Sequence, residues 1–303
     1  MAARKSLIPL YLVDASIYIF RAYFSLPESI CNSSNKPANA VYGFASFLSG
    51  LLSEKNPGYI VAMFDGSLTT CFRNQLYPRY KASRALPDPD LARQLNWCRE
   101  LTELVGIKTY ASKRYEADDL IGTTAARMRE HGFKMIYVTG DKDLGQLIHG
   151  QDRVWDYARD EIYGRQDILR RFGIKPDQFA DYQGLAGDAV DDIPGVPGIG
   201  AKTASRLISR FGDLATLYKR VETGRLTSTS NLQLRGLPRI ESLLNQHKDM
   251  AWLSRELATI STTANIRPTP ASLRRKPVKT RSLNNWLHRN GFGNRLASRL
   301  PQS

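Results

Sequence analysis

The sequence predicts an α/β fold built on a mainly parallel sheet, and three observations carry that prediction. Short apolar runs alternate with amphipathic helical stretches through the first half of the chain. Acidic residues close several of those runs, as in Tyr-Leu-Val-Asp14, Val-Ala-Met-Phe-Asp65 and Val-Thr-Gly-Asp141-Lys-Asp143. After Ile168 the pattern turns to short helices with Gly/Pro joints and no convincing strand, so a boundary is expected near residue 175.

In order, Pro9 to Val13 reads as the first strand and Ala40 to Glu54 as a helix. Tyr59 to Phe64, Ile107 to Tyr110 and Lys134 to Val138 are further strands, separated by helices at Asp90 to Val105 and Ala117 to His131. Val154 to Tyr157 and Glu161 to Tyr163, joined by Ala-Arg-Asp, read as a hairpin at the sheet edge. Two segments stand outside this pattern. Ser67 to Pro87 carries Arg73, Arg79, Lys81 and Arg84 without an acid, interleaved with Phe72, Tyr77 and Tyr80. Cations for phosphates and rings for stacking suit a single-strand channel, although a solvated loop has the same composition. Arg267 to Arg281 holds three prolines and six basic residues without an acid, which predicts an extended linker or surface strap.

The 303 residues, 42% of them hydrophobic, are enough for one large or two smaller domains. The +14 formal charge is uneven: residues 1 to 194 are neutral, with 24 basic and 24 acidic residues, and residues 195 to 303 hold the other 19 basic and 5 acidic. That asymmetry points to a polyanion, most simply nucleic acid. Three scattered cysteines give no zinc or redox pair and suit a reducing cytosol, so a cytoplasmic protein is expected. Leu7 to Val13 is too short for a signal peptide core, Asp14 ends it, and no stretch is long enough for a membrane span. The four histidines form no ligand spacing, and no Gly-x-Ser-x-Gly elbow occurs.

Nine acids fall in five clusters: Asp14, Asp65, Glu116/Asp118/Asp119, Asp141/Asp143 and Asp188/Asp191. Strand ends of an α/β fold face one crevice, where these clusters would converge. Two carboxylates 4 Å apart repel by about 4 kcal/mol at an effective dielectric near 20, so a convergent set calls for hard divalent cations. Helix capping is the ordinary alternative for the helix-start acids. Asp14 and Asp65, closing apolar strands, are expected to have no capping duty. The Gly195 to Thr203 stretch has Walker-like spacing, but Ala201 precedes Lys202-Thr203, no strand leads in, and Pro194 and Pro197 stiffen it. A Gly-rich hairpin between helices, gripping a duplex phosphate through Gly198, Gly200 and the following helix start, fits better.

Taken together these residues resemble the 5′ nuclease family: the 5′-to-3′ exonuclease domain of bacterial DNA polymerase I, phage 5′ exonucleases and flap endonucleases. The matching pieces, in order, are Leu-Val-Asp14, Phe-Asp65-Gly, Phe-Arg73, Tyr80-Lys81-Ala-Ser-Arg84, Tyr-Glu116-Ala-Asp118-Asp119, Thr-Gly-Asp141-Lys-Asp143-Leu, Asp181-Tyr182, Gly187-Asp188-Ala-Val-Asp191-Asp192-Ile-Pro-Gly195 and Gly198-Ile-Gly200-Ala-Lys202-Thr203-Ala. The resemblance spans about residues 7 to 300 and ends in a helical stretch, Leu283 to Leu296, that contains Gly291-Phe292-Gly293.

The resemblance implies a PIN-like nuclease domain over 1-175, with a helical arch or clamp at about 67-113, and a helix-hairpin-helix domain of the H3TH type with a basic tail over 176-303. It implies that Asp14, Asp65, Glu116, Asp118, Asp119 and a shared Asp141 hold one Mg²⁺, and that Asp143, Asp188 and Asp191 hold a second, with Mn²⁺ as a substitute. Asp192 replaces a frequent Asn and is not counted as a ligand. Lys81 and Arg84 are the implied catalytic arch residues. Arg21, Arg73, Tyr80, Gly198, Gly200, Lys202 and Thr203 are the implied DNA contacts, with K⁺ at the hairpin carbonyls. The implied activity is two-metal hydrolysis of DNA at a 5′ end or 5′ flap by a monomer, with polymerase and ligase acting in trans. The rival reading is a non-catalytic structure-specific DNA-binding protein of the same fold. A small PIN-type ribonuclease would lack the hairpin module, and an Asp-dependent phosphotransferase would want Asp-x-Asp where this chain has Asp14-Ala-Ser16.

Overall fold

The computed structural model describes residues 7–67, 69–84, 88–226 and 234–300. Leu68 and residues 85–87 of the expected arch lie outside the described residues.

Six strands form one sheet: β1 (Ile8–Asp14), β2 (Ile60–Asp65), β3 (Lys108–Ser112), β4 (Phe133–Val138), β5 (Arg153–Asp156) and β6 (Glu161–Tyr163), in the order β3-β2-β1-β4-β5-β6. All pairings are parallel except β5–β6, the expected edge hairpin. β1 and β2 are central and buried on both faces, which explains their continuous apolar sequences. Because the chain order reverses about β1, the crevice of this open sheet opens beyond the carboxyl ends of β1, β2 and β4.

The helices of the first part are α1 (Ala15–Ser25), α2 (Asn39–Lys55), α3 (Phe72–Leu76), α4 (Pro89–Leu104), α5 (Ala117–Arg129) and α6 (Arg165–Phe172). α1 follows β1 without a turn, a helix the sequence pattern does not separate from the strand. α5 and residues of the second part cover one face of the sheet, and α1, α2 and α4 cover the other, giving two cores around Leu12/Met63/Tyr137 and around Phe44/Leu48/Phe64.

The second part comprises α7 (Phe179–Ala186), α8 (Ala201–Phe211), α9 (Leu214–Glu222), α10 (Leu237–Gln246), α11 (Lys248–Ala258), α12 (Pro270–Leu273), α13 (Thr280–Arg289) and α14 (Asn294–Ala297). The expected single stretch at 283–296 is two helices, broken where Gly291 takes φ +68° against Ser33. These helices leave the second part. Leu283, Trp286, Phe292 and Leu296 join the α2/α4 core, Trp97 Nε1 donates to Asn290 Oδ1 at 3.0 Å, and Asn32 Nδ2 donates to the Asn290 carbonyl at 2.8 Å.

Candidate active site

The carboxyl ends of β1, β2 and β4 place Asp14, Asp65 and Asp141 in one crevice, and the start of α5 adds Glu116 and Asp118. Asp14 accepts from the Thr139 hydroxyl at 2.9 Å and from the Ile17 amide at 3.4 Å, so it caps α1. Asp65 accepts from the Ala117 amide at 2.8 Å, the first of α5. The expectation that these two acids have no capping duty is therefore corrected: each serves a helix start and still faces the crevice, since a carboxylate has lone pairs to spare.

Their electrostatics record the convergence. Burial, with Asp65 and Asp141 beside it, pushes the Asp14 carboxyl up to about 7. Burial and Asp141 do the same to Asp143, also to about 7. Asp118 is raised well above the usual range by burial, then by Asp141 and Asp14. Asp65 and Asp141 are raised too, chiefly by burial. Glu116 goes the other way: burial would raise it, but Lys81 and Arg73 hold it below its ordinary value.

Lys81 Nζ stands 2.6 Å from Glu116 Oε1 and 3.4 Å from Asp191 Oδ2, and Arg84 Nη2 is 2.5 Å from Asp191 Oδ1. Lys81 reaches them from a left-handed backbone position, φ +53°, with its amide donating to the Asp191 carbonyl at 3.1 Å. Such a conformation costs a non-glycine residue about 1–2 kcal/mol, which the surrounding contacts offset. Asp192, next in line, accepts from the Ser83 amide and hydroxyl at 2.9 and 2.7 Å, tying the arch to the 188–193 loop.

Asp143 and Asp188 meet across Gln183, whose Nε2 donates at 3.0 and 3.3 Å. Lys142 Nζ lies 2.5 Å from Asp188 Oδ2 and keeps that carboxyl ionised below its ordinary value although burial opposes it. Lys142 stands openly between two acids in the sequence. Gln183, Thr139 and Ser83 carry no such local signal, nor does Ser16, whose hydroxyl oxygen accepts from the Asp65 amide at 3.0 Å.

Three expected roles change. Arg73 is 2% exposed: it forks onto Asp119 at 2.8 Å through both Nη atoms, reaches Glu116 at 2.7 Å, and donates to the carbonyls of Leu257 and Thr259 at 2.7 and 2.8 Å. Its donors are spent inside the protein and none faces a DNA path. Asp119 is 0% exposed, its oxygens also taking the Glu116 and Ser261 amides, so no open oxygen faces the crevice. Tyr80 is 3% exposed, its hydroxyl donating to Glu116 at 3.0 Å, so its ring offers no stacking face. By contrast Arg21 and Arg84 are exposed, as are Gly198, Gly200 and Lys202 on the turn leading into α8, with Thr203 half-buried behind them. Gly195 and Gly198 take φ +62° and +86°, and a Cβ on Gly195 would lie 2.4 Å from the Gly187 nitrogen, so the turn needs glycine there.

The crevice fits a hard divalent cation: its donors are carboxylate oxygens that resist ionising together, and Gln183 Oε1, buried beside them, has no hydrogen-bond partner among the described residues. Among the described residues no three of these acids are closed enough to hold an ion as they stand. Lys81, Arg84 and Lys142 lie against Glu116, Asp191 and Asp188 instead.

Residues 9–173 match the family described as 5′-3′ exonuclease, N-terminal resolvase-like domain, and residues 174–281 match the 5′-3′ exonuclease, C-terminal SAM fold. The chain is 36% identical over 270 residues to DNA polymerase I of Bacillus subtilis, covering 88% of this chain and 29% of that protein. It thus spans under a third of the polymerases it resembles. It is 34% identical to the 5′-3′ exonuclease of Buchnera aphidicola, covering 83% of this chain and 86% of the relative. In fold it resembles the T5 5′-exonuclease solved with bound zinc, at TM-score 0.67 and 21% identity over 84% of this chain and 90% of that one. It also resembles the catalytic core of Rad2 in complex with a DNA substrate, at TM-score 0.63 and 15% identity over 97% and 92%. With both halves matched, and a relative of similar length among the matches, the chain belongs to the 5′-3′ exonuclease family.

Proposed function

We propose that this protein is a structure-specific 5′ nuclease that hydrolyses DNA phosphodiesters at a 5′ end or flap with two divalent ions. The observation that carries the reading is the shared crevice of Asp14, Asp65, Asp118, Asp141 and Asp143, whose carboxyls are held back from ionising by burial first and, at Asp14, Asp118 and Asp143, by their acidic neighbours as well. Glu116, Asp188 and Asp191 complete the two ligand sets, whereas Asp119 supports Glu116 from behind through Arg73. Mg²⁺ is the expected ion, with Mn²⁺ able to replace it, and when bound it would activate water and neutralise charge on the leaving oxygen.

The protein's own groups supply orientation and charge. Lys81 and Arg84, released from Glu116 and Asp191, present two cations to the scissile phosphate, where negative charge develops. The amides at Gly198 and Gly200, with the start of α8 and Lys202, hold a duplex phosphate, and the hairpin carbonyls are the place for K⁺. The products are a 5′-phosphate downstream and a 3′-hydroxyl on the released fragment. A cytoplasmic monomer working alongside a DNA polymerase and a ligase fits this reading.

Asp141→Ala tests it. The variant is expected to lose Mg²⁺-dependent cutting of a 5′-flap duplex while keeping duplex affinity, and undiminished cutting would overturn the two-metal assignment. Wild-type protein that binds flap DNA but never cuts it, with any divalent ion, would leave the non-catalytic reading standing.

A further inference from the structure

The basic segment 267–281 takes no part in the chemistry above, yet it is held firmly. Arg274 forms an antiparallel bridge with Tyr59, and the amides of Arg275, Lys276 and Lys279 donate to the carbonyls of Gly58, Gly106 and Leu104 at 3.0, 2.9 and 2.9 Å. Gly106, at φ +88°, lets the strap approach so closely that a Cβ there would sit 2.0 Å from the Lys276 carbonyl oxygen. These anchors lie at the amino ends of β2 and β3, opposite the end that carries the acids.

Arg274, Lys276, Lys279 and Arg281 are exposed, as is Lys108 beside them on β3. Among the described residues none of these five has a carboxylate partner. Two clefts open between them: one of about 460 Å³ bordered by Asn56, Gly58, Arg274, Arg275 and Lys276, and one of about 210 Å³ bordered by Lys108, Thr109, Ser272, Lys276 and Lys279. Arg275 is partly buried in the first, where its guanidinium donates to Asn56 Oδ1 at 3.1 Å and, among the described residues, meets no carboxylate. Glu103 is the sole acid in the second; it receives the Thr109 hydroxyl and lies 3.9 Å from Arg99. A protein partner anchors through aromatic and large apolar side chains, and neither cleft has an aromatic lining. Cations around both open clefts, joined in the second by the Thr109 and Ser272 hydroxyls, suit phosphates.

α4 shows which nucleic acid can arrive. It begins at the arch, with Asp88 as its cap, and ends at Leu104, against the strap, a length of about 24 Å for 16 residues. Duplex DNA is too stiff to turn round the sheet over that distance. A single strand is not. We infer that the strap at 274–281 is a second nucleic-acid site that takes the backbone phosphates of the single 5′ strand after it has passed the arch. The inference rests on the flap-nuclease reading for the direction of that strand.

The test compares flaps of two and of thirty nucleotides on the same duplex. Binding is read by fluorescence anisotropy without added metal, so it stands apart from cutting. The wild type is expected to bind the long flap more tightly than the short one. Arg274→Ala/Lys276→Ala/Lys279→Ala should remove that advantage and lower the salt slope on the long flap by about 2, roughly 0.7 for each single-strand phosphate released. Cutting and binding of the short flap should be unchanged, and Arg274→Lys/Lys276→Arg/Lys279→Arg should behave as the wild type. A long-flap advantage that survives the triple alanine substitution overturns the inference, as does an equal loss on both flaps. Preferential displacement of the long flap by poly-glutamate at equal charge would assign the strap to acidic peptides and overturn it too. Failure of wild-type cutting would strike the proposed function alone.

Discussion

Arg73→Met is the substitution whose outcome most separates the structure from the composition around it. Arg73 sits in a basic, aromatic segment that looks made for DNA, but its guanidinium is enclosed by Asp119, Glu116 and two carbonyls. Removing it leaves Asp119, at 0% exposure, as a buried charge without its partner. Breaking one side of such a pair costs about 3–5 kcal/mol. An unfolding entropy of about 2.1 cal/mol/K per residue gives roughly 0.64 kcal/mol/K for a chain of this length, so the melting temperature should fall by about 5–8 °C. Calorimetry on the metal-free protein reads this directly. Arg73→Met/Asp119→Leu should recover a good part of the loss, because an apolar pair of similar volume removes the uncompensated charge. The reasoning is refuted if Arg73→Met keeps its melting temperature while duplex affinity and its salt slope fall, which is the signature of a phosphate contact.

Lys81→Ala should lower flap turnover by about 100-fold or more while duplex affinity changes little, and equal losses in both would make Lys81 an anchor. Asp14 and Asp143, raised to about 7 in the fold, bind more protons folded than unfolded between about pH 4 and pH 7. Metal-free stability should therefore fall as pH rises through that window and stay low above it. A divalent ion displaces those protons, so its effect on the melting temperature should grow from pH 5 to pH 8; a pH-independent effect would refute the shared crevice. Gly106→Ala should destabilise the protein by about 1–3 kcal/mol, since its φ of +88° disfavours a side chain and the new Cβ meets the Lys276 carbonyl. A melting temperature equal to the wild type's would refute that close approach.

The mainly parallel sheet was legible because most of its strands are short apolar runs closed by an acid or glycine and separated by amphipathic helices, whereas the order that sets β4 beside β1 was not. The crevice acids were legible for the same reason: Asp14, Asp65 and Asp141 mark strand ends. What escaped were contacts between distant parts of the chain. Arg73 meets Asp119 across 46 residues and Thr259 across 186, so its local neighbours, basic and aromatic, suggested an outward role. Tyr80 turned inward for the same cause, its hydroxyl reaching Glu116. α1 was hidden because its apolar residues continue those of β1 without a glycine or proline between them. Residues 280–300 read as a tail of the second part, and nothing near them in the sequence announces Trp97 or Tyr42 as their partners.

That return of the last helices bears on how the protein is made. Trp286 stacks on Phe292, and Phe292 packs edge-on against Trp97 and Tyr42, so the outer face of α2 and α4 stays uncovered until the final residues are available. A chain leaving the ribosome at about 5–20 residues per second exposes that aromatic face for many seconds after β1 to β6 have been synthesised. The core between α2 and α4 is thus completed only by the last helices, and ending the chain at residue 281, where the second family match stops, would leave its aromatic face open to water.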